Sequence, residues 1–278
     1  MTTLDSSQPE LRSPQSELRS PQSETVLSQL VALSNALGRP ELDYVILGEG
    51  NTSARIDDDS FWVKASGTEL RTITGAGFVR VSFEAALELV KRENLTDADV
   101  KAGLTAAKMD GSAPGHPSVE TLLHALCLQM PGITFIGHTH ATAVNMLTCS
   151  AGFEQAYAGR LFPDEIVLCG PAPVLVRYTD PGVPLALEVW SRIERYQDHY
   201  GEQPKVILIQ NHGLIVLGKS AQQVLDVTAM AVKTARILLG TFAAGGPRFM
   251  SERDVARIHT RPDELYRRQL LGLDEPKR

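Results

Sequence analysis

The chain has 278 residues, 43% of them hydrophobic and 22% charged, which suits a globular protein with a sizeable core and excludes a disordered, collagen-like or coiled-coil chain. Its 27 Lys and Arg against 33 Asp and Glu leave a formal charge of −6, so there is no electrostatic footprint for nucleic acid. No apolar run approaches the roughly 18–20 residues that span a bilayer, and a membrane protein is not expected.

The first 24 residues stand apart. LRSPQSE at 11–17 recurs at 18–24, and its Ser, Pro, Gln and Glu offer too little apolar surface to offset the entropy of ordering. A disordered extension over 1–24 is expected, followed by a single domain over 25–278. Val26, Leu27, Leu30, Val31, Leu33 and Leu37 then make a helical face that ends at Gly38 and Pro40. Tyr44–Leu47 and Phe61–Ala65 read as strands, with a turn, strand and turn in GEGNTSARIDDD between them. Phe83–Lys91 reads as a helix, and the polar, Gly- and Ala-rich stretch 93–115 as a mobile loop.

Pro117 suits the first turn of a helix running to about Met130. ITFIGHTH is a strand with a polar end, and a helix follows from Ala141. Next come a strand (Pro173–Tyr178), a helix (Val183–Tyr196) and two strands (Val206–Gln210 and Leu214–Leu217). Ser220 caps a long helix to Leu239. This alternation predicts one α/β domain. The N-terminus lacks the basic flank and apolar stretch of a secretory signal, and Cys127, Cys149 and Cys169 lack a disulfide or zinc-finger spacing. Reduced thiols in a cytoplasmic protein are expected.

The chemistry concentrates in a few places. His138 and His140 sit i and i+2 on a strand end, so both imidazoles project from one face and suit one metal ion. A bare H-x-H is also common as two unrelated polar residues. His212, in the turn Gln210-Asn211-His212-Gly213 between two apolar strands, is consistent with a third nitrogen of a metal site, although Asn-His-Gly taken alone is common turn chemistry. Glu120 and His124 lie i and i+4 on one helix. Glu120 reads either as a solvated helix-start carboxylate or as a fourth metal ligand or general acid/base, with His124 supporting it from behind. The turns Gly48-Glu49-Gly50-Asn51-Thr52-Ser53 and Ala65-Ser66-Gly67-Thr68 combine close backbone approach with hydrogen-bonding side chains, as an oxyanion cradle requires. Each also serves as a plain turn, and neither is a P-loop or a dinucleotide fingerprint.

The order of these segments is more specific than any one of them. GEGNTSAR, VKASGTEL, HPSVETLLHA, IGHTHATAV, RYTDPGVPLA and LIQNHGLIVLG form a collinear series over roughly residues 25–240. It resembles the class II aldolase/adducin family, and within it the aldolase half of bifunctional rhamnulose-phosphate aldolase/alcohol dehydrogenases. The resemblance implies a central, mainly antiparallel sheet flanked by helices, assembled as a homotetramer with sites at subunit contacts. It implies that His138, His140 and His212 bind a divalent metal, usually Zn2+. Glu120 matches the family's catalytic carboxylate, which can also ligate the metal. Gly50, Asn51, Ser66 and Gly67 match the phosphate-anchoring turns, and Ser118 falls near a further anchor. Two departures follow: no dehydrogenase half is seen, so no nicotinamide cofactor is implied, and Glu49 puts a negative charge in one phosphate turn.

The reaction implied is aldol cleavage or formation of a ketose phosphate through a metal-stabilised enediolate, with Glu120 moving the proton at the carbanion carbon. Epimerisation, dehydration or decarboxylation of a sugar phosphate uses the same intermediate. An adducin-like module without catalysis is the alternative of another class, and the Glu120/His138/His140/His212 set argues against it. Tyr266 is a conceivable acid acting in a neighbouring subunit, or a plain surface tyrosine.

Overall fold

The computed structural model describes residues 21–270. Its sheet has seven strands: β1 (Asn51–Arg55), β2 (Ser60–Lys64), β3 (Phe78–Ser82), β4 (Phe135–Thr139), β5 (Val174–Val176), β6 (Val206–Ile209) and β7 (Gly213–Gly218). Their spatial order is β3-β2-β1-β4-β7-β6-β5. Every pairing is antiparallel except β5 with β6. Alternation along the strands divides the core between the two faces. Phe135 and Val216 point to one side and Ile136 and Leu217 to the other.

Helices α1 (Pro21–Leu37), α5 (Thr142–Thr148), α6 (Phe153–Ala156), α7 (Pro163–Cys169) and α9 (Ala221–Ala243) contribute to the first side. The second is packed by α2 (Phe83–Lys91), α3 (Asp97–Ala106), α4 (Thr121–Leu128) and α8 (Val183–Tyr200). Two further helices, α10 (Glu252–Thr260) and α11 (Pro262–Leu270), pack beside α7. This is the expected mainly antiparallel sheet flanked by helices.

Several boundaries differ from the sequence reading. Residues 21–24 are the first turn of α1, with Ser23 buried and Gln22 Nε2 donating to the Ile56 carbonyl at 3.3 Å, so these four residues are helix and not the disordered segment expected there. The remainder of that expectation, residues 1–20, lies outside the described residues. Tyr44–Leu47 is not a strand. Tyr44 and Val45 turn inward, Ile46 and Leu47 are exposed, and Leu47 has φ +51°, which ends an extended run.

The loop expected over 93–115 contains α3. Thr96 and Asp99 form a reciprocal capping box there, and Val100 and Leu104 anchor the helix. Pro117 pairs as an isolated bridge with Ala65 instead of opening a helix, and α4 begins at Thr121 with Glu120 at its N-cap. Ser220 does cap α9, accepting from Gln223 N, and that helix runs on to Ala243.

Candidate metal centre

Sheet register builds the site. β4 runs out at Thr139 beside the starts of β1 and β7, because both neighbours are antiparallel to it. Asn51 pairs with His138, and Thr139 with Leu214, so three strand ends share one edge. Asn211 takes the left-handed conformation (φ +55°), which Asn tolerates, and turns the chain from β6 into β7. Gly213 is needed next to it, because a Cβ there would lie 2.5 Å from the Thr139 carbonyl oxygen. That close approach brings His212 over the end of β4.

The three histidines expected to converge do so. Nε2 of His138 lies 3.0 Å from Nε2 of His140 and 3.2 Å from Nε2 of His212. His138 Nδ1 sits 3.0 Å from the Leu214 carbonyl oxygen, an acceptor, so the proton is on Nδ1 and the Nε2 lone pair faces its neighbours. Three ring nitrogens crowded this closely around one lone pair form a ready donor set for a cation placed between them. A tetrahedral zinc with nitrogen ligands at about 2.0–2.1 Å has ligand–ligand edges of about 3.3 Å. The observed spacings are close to that, so the donor set fits a divalent ion.

Glu120 joins the cluster. Its Oε1 lies 2.9 Å from His212 Nε2 and 3.6 Å from His138 Nε2, and its Oε2 accepts a hydrogen bond from Asn51 Nδ2. Burial opposes ionisation of this carboxyl, but His138 and the hydrogen-bonded His212 overcome it and hold the group well below the usual carboxylate range. Burial also pushes His124, His138 and His140 down to about 4, which favours the neutral ring in each and leaves His138 and His140 able to ligate. His124, buried one helical turn beyond Glu120, has Nδ1 2.6 Å from Ser53 Oγ.

The two expected anion turns and the segment carrying Ser118 are neighbours. Ser66 N donates to the His116 carbonyl at 2.9 Å, Ala65 bridges Pro117, and Gly48 approaches the Thr68 carbonyl. Gly50 and Gly67 have φ of +66° and +80°, and the Ser118 hydroxyl is buried with no protein partner. Asn51 is only partly where expected: it borders these turns, yet its amide is committed to Glu120.

Sequence reasoning missed Lys64. Its side chain is buried at the end of β2, with Nζ donating to the Gly48 carbonyl at 3.1 Å. Burial lowers its pKa, and the Glu120 carboxylate partly offsets that. A lysine ending the apolar run Phe61-Trp62-Val63, immediately before Ala65-Ser66-Gly67, was the available signal. Tyr266, by contrast, is an exposed residue of α11.

Residues 28–239 match the family described as the class II aldolase and adducin N-terminal domain. The uncharacterized oxidoreductase YuxG of Bacillus subtilis is 26% identical over 217 residues, covering 75% of this chain and only 29% of that protein. The 3-oxo-tetronate 4-phosphate decarboxylase of Haemophilus influenzae is 26% identical over 228 residues, covering 81% of this chain and 93% of the relative. Among solved structures, the N-terminal class II aldolase domain of a conserved Thermoplasma acidophilum protein superposes with a TM-score of 0.60. It is 28% identical, and the match covers 77% of this chain and 93% of that one.

Proposed function

The chain belongs to the class II aldolase and adducin family, and on that premise we propose that it is a metal-dependent lyase cleaving or forming a carbon–carbon bond in a ketose phosphate. The observation that carries the reading is the convergence of three histidine nitrogens and one Glu120 oxygen at a single sheet edge. His138, His140 and His212 would hold the ion, with Zn2+ the best match to a three-nitrogen set. Bound there, a divalent ion supplies Lewis acidity toward a carbonyl and its neighbouring hydroxyl.

The chain's own groups do the rest. As the bond breaks, the hydroxyl on the aldehyde-side carbon becomes a carbonyl and gives up its proton, while the bond's electron pair stays on the ketose-side carbon. Glu120, a carboxylate at rest, takes up the released proton and passes it to that carbon, and in the condensing direction it removes one. Asn51 orients the carboxylate by holding Oε2. Gly50, Ser66, Gly67 and Ser118 form the cradle for the phosphate, and Lys64 beneath the Gly48 turn is its counter-charge.

Decarboxylation is the second reading, favoured by the relative from Haemophilus influenzae that matches over 93% of its length. There the departing group is carbon dioxide rather than an aldehyde, and Glu120 protonates the same carbon. A homotetramer is part of the proposal, as is a reducing cytoplasmic setting, in keeping with three free cysteines. Among the described residues no helix is long and apolar enough to cross a membrane.

The test combines metal analysis with product analysis. Protein purified without chelator should carry about one zinc per chain, the usual stoichiometry of a mononuclear site. Offered a panel of ketose phosphates and phosphorylated 3-oxo acids, it should release an aldehyde and a three-carbon ketose phosphate. Carbon dioxide instead selects the second reading. No bound metal, or full occupancy in His212→Ala, removes both.

A further inference from the structure

His138 and His140 leave the end of β4 together, yet their outer ring nitrogens meet different partners. His138 Nδ1 has the Leu214 carbonyl at 3.0 Å. His140 Nδ1 faces Glu49, whose Oε2 is 4.0 Å away, at ion-pair distance and longer than a hydrogen bond, the one carboxylate so close to it among the described residues. The carboxylate is held in place, because Oε2 accepts from the Ile46 backbone N–H at 3.1 Å and Glu49 N donates to the Ile46 carbonyl at 3.1 Å.

The turn that carries Glu49 is shaped against the backbone's preference. Leu47 adopts φ +51° without being glycine, and Gly50, at φ +66°, brings the chain so near β4 that a Cβ would sit 2.6 Å from the His138 carbonyl oxygen. The turn is thereby pressed against the strand end from which His140 projects. Glu49 thus faces His140, which accounts for a carboxylate in a turn that also borders the proposed anion cradle.

We propose that Glu49 is the positioning carboxylate of His140, orienting the imidazole with Nδ1–H toward itself and Nε2 toward the ion, and strengthening the centre's hold on a divalent cation. The proposal rests on the reading of the three histidines as a metal site. A histidine that ligates through Nε2 carries its proton on Nδ1, and a carboxylate at that proton both fixes the ring and raises its basicity.

The experiment is zinc affinity, measured by competition with a chromogenic chelator and without substrate, for wild type, Glu49→Gln, His140→Ala and the double variant. Glu49→Gln retains an amide oxygen for the Ile46 N–H, so the metal-free melting temperature should not change. Its zinc affinity should fall about 10- to 100-fold, the usual effect of losing such a partner. In the His140→Ala background the same substitution should change nothing further.

Wild-type affinity in Glu49→Gln, or an equal loss in both backgrounds, overturns the proposal. A lower metal-free melting temperature accompanying the loss also overturns it, because Glu49 would then act through the turn alone. Absence of turnover on every substrate would remove the reaction reading and leave this result standing, whereas a wild type that binds no zinc removes both.

Discussion

Asn51 donates from Nδ2 to Oε2 of Glu120, tying the first residue of β1 to the N-cap of α4. Two residues on, Ser53 Oγ meets His124 Nδ1 at 2.6 Å, four residues beyond Glu120 on the helix. The spacings match: two strand residues advance about 6.8 Å and four helix residues about 6 Å, so one strand face registers against one helix face. The carboxylate therefore reaches the histidine cluster as part of a braced unit. Its free oxygen is directed at His212 and His138, and its other oxygen is occupied.

Lys64 gives a case in which binding and stability should oppose each other. A buried ammonium with one carbonyl acceptor is costly to the empty protein, and a methionine of similar length removes that cost. Lys64→Met should therefore leave the metal-free melting temperature unchanged or raised. Its KM for a phosphorylated ketose should rise about 10- to 100-fold, the loss of a charge-assisted hydrogen bond. Kinetics with phosphorylated and unphosphorylated ketoses check this, since only the phosphorylated substrate should respond. An unchanged KM would take Lys64 out of the cradle.

The start of α1 makes a second prediction. Removal of residues 1–24 cuts the first helical turn, with buried Ser23 and the Gln22–Ile56 bond, whereas removal of residues 1–20 spares them. A loss of about 1–2 kcal/mol for one hydrogen bond and its packing corresponds to a melting temperature lower by roughly 2–8 °C for a domain of this size. Differential scanning calorimetry of the two truncations measures it. Equal melting temperatures would mean that residues 21–24 contribute nothing.

The contrast between that boundary and the site shows what was legible in the residues. The order of the polar motifs and the apolar runs PheIle and ValIleLeuIle located β4, β6, β7 and the three histidines, because strand alternation and turn chemistry are local. Tyr44–Leu47 has the composition of a strand, but no neighbouring strand pairs with it, and the positive φ at Leu47 is not written in a leucine. Helix α3 was obscured by its Ala, Gly and Asp content, although Thr96 and Asp99 carried its start signal. The roles proposed for Lys64 and Glu49 rest on what β1, β4 and the 116–118 segment bring beside them. That is tertiary information.

Acid should act on the metal-free protein through its buried imidazoles. Burial holds His124, His138 and His140 at about 4, while an unfolded histidine titrates near its ordinary value of 6.5. Between those values the unfolded chain binds more protons than the folded one, so stability rises with pH. It is fully present above about pH 6.5 and is lost as pH falls toward 4. Urea midpoints in chelator should decline across this window, and zinc should steepen the decline because protons compete with the ion for the same nitrogens. A flat midpoint from pH 6.5 to 4.5 would contradict the burial of neutral rings.

Replacing Glu120 by Gln separates a proton-transferring carboxylate from one that only completes a ligand set. The amide oxygen can still accept from Asn51, and the amide N–H2 then turns toward His212, so the fold and the brace between β1 and α4 should survive. Three histidines remain for the ion, and water can supply a fourth donor. What is lost is the basicity. If Glu120 carries the proton, turnover at saturating zinc should fall by about two to four orders of magnitude, the usual contribution of a general acid/base. The KM should change little by comparison, since the proposed phosphate cradle lies on other residues. If the carboxylate served only to hold the ion, excess zinc should restore the rate. Turnover of Glu120→Gln measured across a zinc titration therefore decides the matter: a rate that stays low at full metal occupancy keeps Glu120 in the mechanism, and a rate near wild type removes it.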